Sequence, residues 1–169
     1  MSDSLPNISP KIRLATIDDV STIFKLIQDL AVYEKLAHEV TGSEELLKEH
    51  LFGKKVYIEV LLAEIDNQAA GLALFFHNYS TFLTKPGIYL EDLFVVPEYR
   101  RRGVGKALIS SLAKLAVERD CGRLDWSVLD WNVNAIAFYE KIGATVLPDW
   151  RICRVTGNSL QELAEGMRK

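Results

Sequence analysis

The chain has 169 residues, 49% of them hydrophobic and 25% charged, and a formal net charge of −3. That is the make-up of one soluble globular domain, and the negative balance argues against nucleic acid as the main partner. Cys121 and Cys153 allow at most one bridge and lack metal-ligand spacing, as do His38, His50 and His77, so no metal is expected.

The opening Met1–Asn7 is polar and has no basic stretch leading into an apolar run. The longest apolar run, Ala69–Phe76, is too short to span a bilayer. A cytoplasmic protein with reduced thiols and no membrane partner is expected. Residues 1–10 read as a flexible tail and 11–169 as a single domain.

Lys11–Ala15 reads as a short strand, and Thr16-Ile17-Asp18-Asp19 as a helix start with acids in its first turn. Ile23, Leu26, Ile27, Leu30 and Ala31 then recur at helical spacing. Ser43 caps a second helix through Leu51. Tyr57–Ile65 and Ala69–His77 are β-rich runs joined by Asp66-Asn67-Gln68, a hairpin signal. Gly87–Val96 is a further strand that Pro97 stops. Gly103–Arg119 carries Val104, Ala107, Leu108, Leu112 and Leu115 on one helical face. A strand over Leu124–Leu129 follows, then a helix capped by Asn132 and ended by Gly143. An interrupted strand within Thr145–Val155 and a helix over Ser159–Glu165 complete the reading. Two strand–helix–strand steps in the second half require parallel pairing, while the middle hairpin is antiparallel. The fold class is therefore α/β, with a mixed sheet.

The most informative stretch is Val95-Val96-Pro97-Glu98-Tyr99-Arg100-Arg101-Arg102-Gly103-Val104-Gly105-Lys106. A strand ends, three arginines and two glycines follow, and a helix begins. Glycines let backbone N–H groups reach phosphate oxygens, the new helix adds unpaired N–H groups, and arginines add bidentate donors. A P-loop is excluded because Ala107 follows Lys106, and a dinucleotide fingerprint because Leu108 stands where a third glycine belongs. What remains is Arg-x-x-Gly-x-Gly, which also reads as a basic turn before an ordinary helix.

Together with Asn132-x-Asn134-Ala135-x-Ala137-Phe138-Tyr139-x-x-x-Gly143, this pattern resembles the GNAT superfamily of N-acetyltransferases over residues 12–155. Leu26-Ile27-Gln28-Asp29-Leu30-Ala31-x-Tyr33-Glu34, Tyr89-Leu90-Glu91-Asp92-Leu93-Phe94-Val95 and Asp130-Trp131-Asn132 look like its spermidine/spermine (diamine) branch. Asn78-Tyr79-Ser80-Thr81-Phe82 leans toward relatives that take thialysine. The resemblance implies a GNAT fold, its sheet antiparallel in the N-terminal half and its parallel strands splayed at the acetyl-CoA site. It also implies acetyl-CoA as co-substrate, a small cationic amine as acceptor, direct transfer, and a homodimer.

Glu91 and Asp92 are neighbours on a strand, so at least one faces packed structure, where an unpaired carboxylate is costly. An ammonium of pKa about 10.4 is only roughly 0.1% neutral near pH 7, and only the neutral amine attacks a thioester. The resemblance makes Glu91 the group that takes this proton and Asp92 a second holder of the cation. It makes Tyr139 the acid that protonates the leaving thiolate, although an aromatic at that helical position also reads as core. It further implies that Leu93, Phe94 and Val95 pair with the pantetheine arm and that N–H groups near Leu93 and Phe94 receive the developing negative charge. In the same way Arg100, Arg101, Arg102, Gly103, Val104, Gly105 and Lys106 would hold the pyrophosphate, and Asn132, Asn134, Ala135, Tyr139 and Lys141 the rest of CoA.

Tyr33, Glu34, Asp125, Trp126 and Ser127 match acceptor-lining segments, though the first two also read as a solvated helix end and Trp126 as core. From Asp29 to Glu49, six acids (Asp29, Glu34, Glu39, Glu44, Glu45, Glu49) face only Lys35 and Lys48, which suits a cationic acceptor. Three features depart from the polyamine pattern. Arg101 stands where those enzymes carry glycine, and Thr81 and Leu83 stand where they carry an acid and a tryptophan. The segment from Leu147 to Trp150 is shorter, leaving Asp149 as the acceptor-side residue there. Two other functions fit the same fold: a non-catalytic CoA-binding sensor, which would need neither Glu91 nor Tyr139, and a protein lysine or N-terminal acetyltransferase.

Overall fold

The structure, a computed structural model, describes residues 9–166. They form two compact units, one up to Ser127 and one from Val128 onward.

The first unit is a five-stranded sheet with strands in sequence order: β1 (Lys11–Leu14), β2 (Glu59–Ile65), β3 (Gln68–Ser80), β4 (Lys85–Val95) and β5 (Leu124–Trp126). The first four pair antiparallel, and β5 runs parallel to β4. The hairpin after Ile65 has a two-residue loop, Asp66 and Asn67, at φ 51° and 61°. Two positive φ values match the right-handed twist of the flanking strands, and Asp and Asn tolerate them better than most residues.

Helices cover both faces. On one side α1 (Val20–Tyr33) and α2 (Glu44–Phe52) bury Ile23, Leu26, Leu30 and Leu51 against Val60, Leu62, Leu72, Leu74 and Phe94. The intervening β3 residues Ala73 and Phe75 are also buried, and point to the other face by strand alternation. There α3 (Val104–Glu118) supplies Val104, Leu108 and Leu112. Ser43 caps α2 as expected, its hydroxyl accepting from the Leu46 N–H. Gly71 is required where β3 meets the end of β4, because a Cβ there would collide with the Phe94 carbonyl oxygen.

The second unit contains α4 (Val133–Lys141) and α5 (Gly157–Ala164). Asn132 caps α4 by accepting from the Ala135 N–H, as its position suggested. The strand expected within Thr145–Val155 is absent, so only one of the two expected strand–helix–strand steps forms, β4–α3–β5. Pro148 removes a ladder donor there, and residues 145–155 are exposed throughout, so alternation had no face to bury. The expected strand over Leu124–Leu129 is also shortened, ending at Trp126. The tail assigned to residues 1–10 lies almost wholly outside the described residues.

Arg13 joins three elements. It donates to Asp19 at 2.7 and 2.9 Å, just before α1, and to Glu64 on β2 at 2.6 and 2.9 Å. These bonds hold both carboxyls below their usual range. A depressed carboxyl stabilises the fold above its unfolded pKa, and that contribution disappears as pH falls through the folded value. Arg13→Gln should therefore cost about 1–2 kcal/mol at neutral pH. Melting temperatures of the two proteins should begin to draw together as pH falls below about 4 and converge only well under the ordinary carboxylate range.

Candidate active site

The site forms where β4 outruns β5. Parallel pairing covers Ile88, Tyr89 and Leu90, opposite Leu124, Asp125 and Trp126, and then stops, while β4 continues to Val95. On the other side of β4, Leu90 pairs with Phe75 but Asp92 pairs with Leu74, so Glu91 is an extra residue and forms a β-bulge.

The bulge resets the alternation of the strand. Asp92 now shares a face with its partner Leu74 and with Phe94, which is buried under α1. Glu91 stays exposed. Of the two acids it is therefore Asp92 that packs inward. Burial, together with the charges of Glu91 and Glu34, pushes the Asp92 carboxyl up to about 6. Glu34 caps the C-terminus of α1, and burial raises it as well. Among the described residues none of these three acids has a basic side chain within ion-pair distance. A cationic ligand would relieve all three.

The open edge of β4 offers backbone groups. The Val96 N–H donates to the Ala70 carbonyl at 2.9 Å, and the Phe94 carbonyl lies against Gly71, so both face β3. The N–H and C=O groups of Leu93 and Val95 consequently face the side that β5 leaves unpaired. The Leu93 N–H and C=O and the Val95 N–H are the groups an extended amide-containing chain could pair with, the Val95 carbonyl already accepting from Arg100.

The arginine run splits in two. Arg100 turns back to the strand end, its Nε donating to the Val95 carbonyl at 2.9 Å and its guanidinium lying 4.6 Å from the Tyr33 ring and 5.7 Å from the Phe94 ring. Arg101 and Arg102 are exposed on the loop that enters α3. Arg101 adopts φ 61° and Gly103 φ 80°. The glycine place that Arg101 fills is thus a left-handed one, and the turn forms without the glycine. Gly103 is the N-cap of α3, brings no side-chain cap, and has open space where a Cβ would stand. The first N–H groups of α3 are thus left for an anion. Val104 is buried, Gly105 half-buried and Lys106 exposed.

A groove of about 860 Å³ runs along α1 past Lys25, Asp29 and Tyr33 to Phe94, Val96, Pro97 and Arg100. On β5, Asp125 accepts from Asn78 at 3.1 Å and pairs with Arg123 at 2.7 Å, while the Ser127 hydroxyl lies 2.7 Å from that of Tyr89. Trp126 is half-buried between them. The structure thus groups Asp92 with Glu34 and Glu91, groups Arg100 with Tyr33 and Phe94, and places Asp125, Trp126 and Ser127 at the end of β5. In the second unit the Asn132 side chain serves as a helix cap. On α4, Ala135 and Tyr139 are half-buried, the Tyr139 ring 5.4 Å from that of Phe138, while Asn134 and Lys141 are exposed. Tyr89 was not singled out by spacing; its hydroxyl on a strand beside two acids was the available signal. Among the described residues no cluster suits a metal ion, and no helix is long and apolar enough to cross a membrane.

The profile of the acetyltransferase (GNAT) family matches residues 24–144. An L-ornithine N5-acetyltransferase of Arabidopsis thaliana is 37% identical, the match covering 95% of this chain and 93% of that protein. A thialysine N-epsilon-acetyltransferase of Bos taurus is 38% identical over 90% of this chain and 96% of its own length. Among solved structures, an integron cassette protein from the V. cholerae mobile metagenome superposes with a TM-score of 0.79 at 26% identity, over 94% of this chain and 99% of that one.

The acid cluster can be checked without any ligand. Asp92 should titrate near pH 6 by carboxyl-detected NMR, and Glu34→Gln should lower that value by removing a neighbouring negative charge.

Proposed function

Because the chain belongs to the acetyltransferase (GNAT) family and is an acetyl-CoA-dependent N-acetyltransferase, we propose that its acceptor is a small cationic amine, a diamine or polyamine or an amino acid of the thialysine and ornithine kind. The observation that carries this reading is the bulge at Glu91. It turns Asp92 toward Glu34 beside the exposed Glu91, three carboxyls without basic partners among the described residues, at the point where the strand edge opens.

The acids supply what the chemistry needs. An ammonium is drawn to Asp92 and Glu34, and Glu91, exposed on the bulge, takes its proton directly or through water. The neutral amine then attacks the thioester carbonyl. The N–H groups at the open edge around Leu93 stabilise the oxygen that gains charge. Arg101, Arg102, Lys106 and the N-terminus of α3 hold the pyrophosphate, and the edge of Leu93 and Val95 pairs with the pantetheine amides. As the intermediate collapses, the nitrogen gives up its second proton to solvent and the Tyr139 hydroxyl donates a proton to the leaving sulfur. The relatives that act on ornithine and thialysine support an amino acid carrying a terminal amine as acceptor.

The direct experiment is thiol release from acetyl-CoA with putrescine, spermidine, thialysine, ornithine, lysine and a lysine peptide. Turnover of one or more free amines is expected. Turnover of the peptide alone would make the protein the acceptor class, and CoA binding without any turnover would favour a sensor.

Two variants refine the roles. Asp92 is ionised only above its value of about 6, so kcat/KM for the amine should fall as pH drops through that value. Asp92→Asn should lower kcat/KM about 10–100-fold at neutral pH and remove this inflection. Tyr139→Phe should cut kcat by about 10-fold or more while CoA affinity, read by calorimetry, stays within about threefold.

A further inference from the structure

Three parallel rungs join β4 to β5, and the last is Leu90 with Trp126. The next in that register would join Glu91 to Ser127, but Glu91 is the bulged residue and the ladder ends. A side-chain bond takes its place. The Tyr89 and Ser127 hydroxyls lie 2.7 Å apart across the gap. Tyr89 is held from the other side by its register partner Phe76, with ring centroids 5.2 Å apart. Asp125, two residues before Ser127, is fixed by Asn78 and Arg123. The three-residue strand is thus clasped at its tip by neutral hydroxyls, where the backbone no longer holds it.

We propose that the Tyr89–Ser127 clasp fixes the apex of the β4–β5 fork and thereby limits the length of the acyl group. This rests on the reading above, in which the thioester lies along the open edge of β4 with its carbonyl near Leu93. From there an acyl chain extends toward Glu91 and the apex. An acetyl methyl stops short of the clasp, whereas each further methylene presses on it. A rung without formal charge closes the apex and leaves the ammonium to the acids. The pair positions and selects; it takes no part in proton transfer.

The test compares acetyl-CoA with butyryl-CoA in wild type, Ser127→Ala, Tyr89→Phe, the double variant and Ser127→Thr, which keeps a hydroxyl. Affinity is read by calorimetry without acceptor and kcat/KM with one turned-over amine, while thermal melts check folding. Wild type should prefer acetyl by about 100-fold. Either single loss of the clasp should reduce that ratio about tenfold, the double variant no further, since one bond is lost in each case. Ser127→Thr should keep the wild-type ratio. Ser127 is exposed, so its variants remain informative even where Tyr89→Phe misfolds. An unchanged ratio in Ser127→Ala, or a wild type indifferent to chain length, overturns the proposal and leaves the transferase reading standing. Failure of both thioesters to bind wild type overturns that reading and the proposal with it.

Discussion

The site depends on one extra residue in one strand. Without the bulge at Glu91, strict alternation would carry Asp92 to the α3 face and leave Glu91 on the face of α1 and Glu34. With it, Asp92 joins Leu74 and Phe94 on that face, and the ladder to β5 ends at Leu90. The same irregularity therefore orients an acid and opens a backbone edge. A regular strand would have done neither, because its N–H groups would be committed to a neighbour.

Local packing keeps this arrangement in place. Gly71 lets β3 approach the Phe94 carbonyl closely, which directs the hydrogen-bonding groups of Phe94 and Val96 inward and those of Leu93 and Val95 outward. Phe94 itself is buried beneath Leu26 and Leu30 of α1. The open edge is thus one side of a strand whose other side is bonded and whose face is packed. Leu93 and Val95 can present polar backbone without loosening the sheet.

Much of this was legible from residue order. Capping by Ser43 and Asn132, the Asp66–Asn67 turn and the amphipathic α3 all follow local rules that act within a few residues. The bulge did not show, because Tyr-Leu-Glu-Asp-Leu-Phe reads as regular alternation and only pairing with β3 reveals the extra residue. The sequence told that one of two neighbouring acids must face inward; which one depended on that pairing. The same limit explains Thr145–Val155, where apolar alternation suggested a strand but Pro148 and the lack of a buried face produced none. The direction of Arg100 was also hidden, since a run of three arginines does not say which one turns back to the strand.

That direction explains how opposite charges coexist at short range. On the proposed reading the acceptor is a cation and the co-substrate an anion, so acids and arginines must lie close along β4 and its loop without cancelling. An Arg100–Asp92 or Arg100–Glu34 pair would hold those carboxylates far below neutral pH and leave them nothing to offer an ammonium. Instead the guanidinium is held on the Val95 carbonyl and the Tyr33 ring, partners without formal charge. Cation–π contact and a backbone acceptor satisfy it while leaving the acids unpaired.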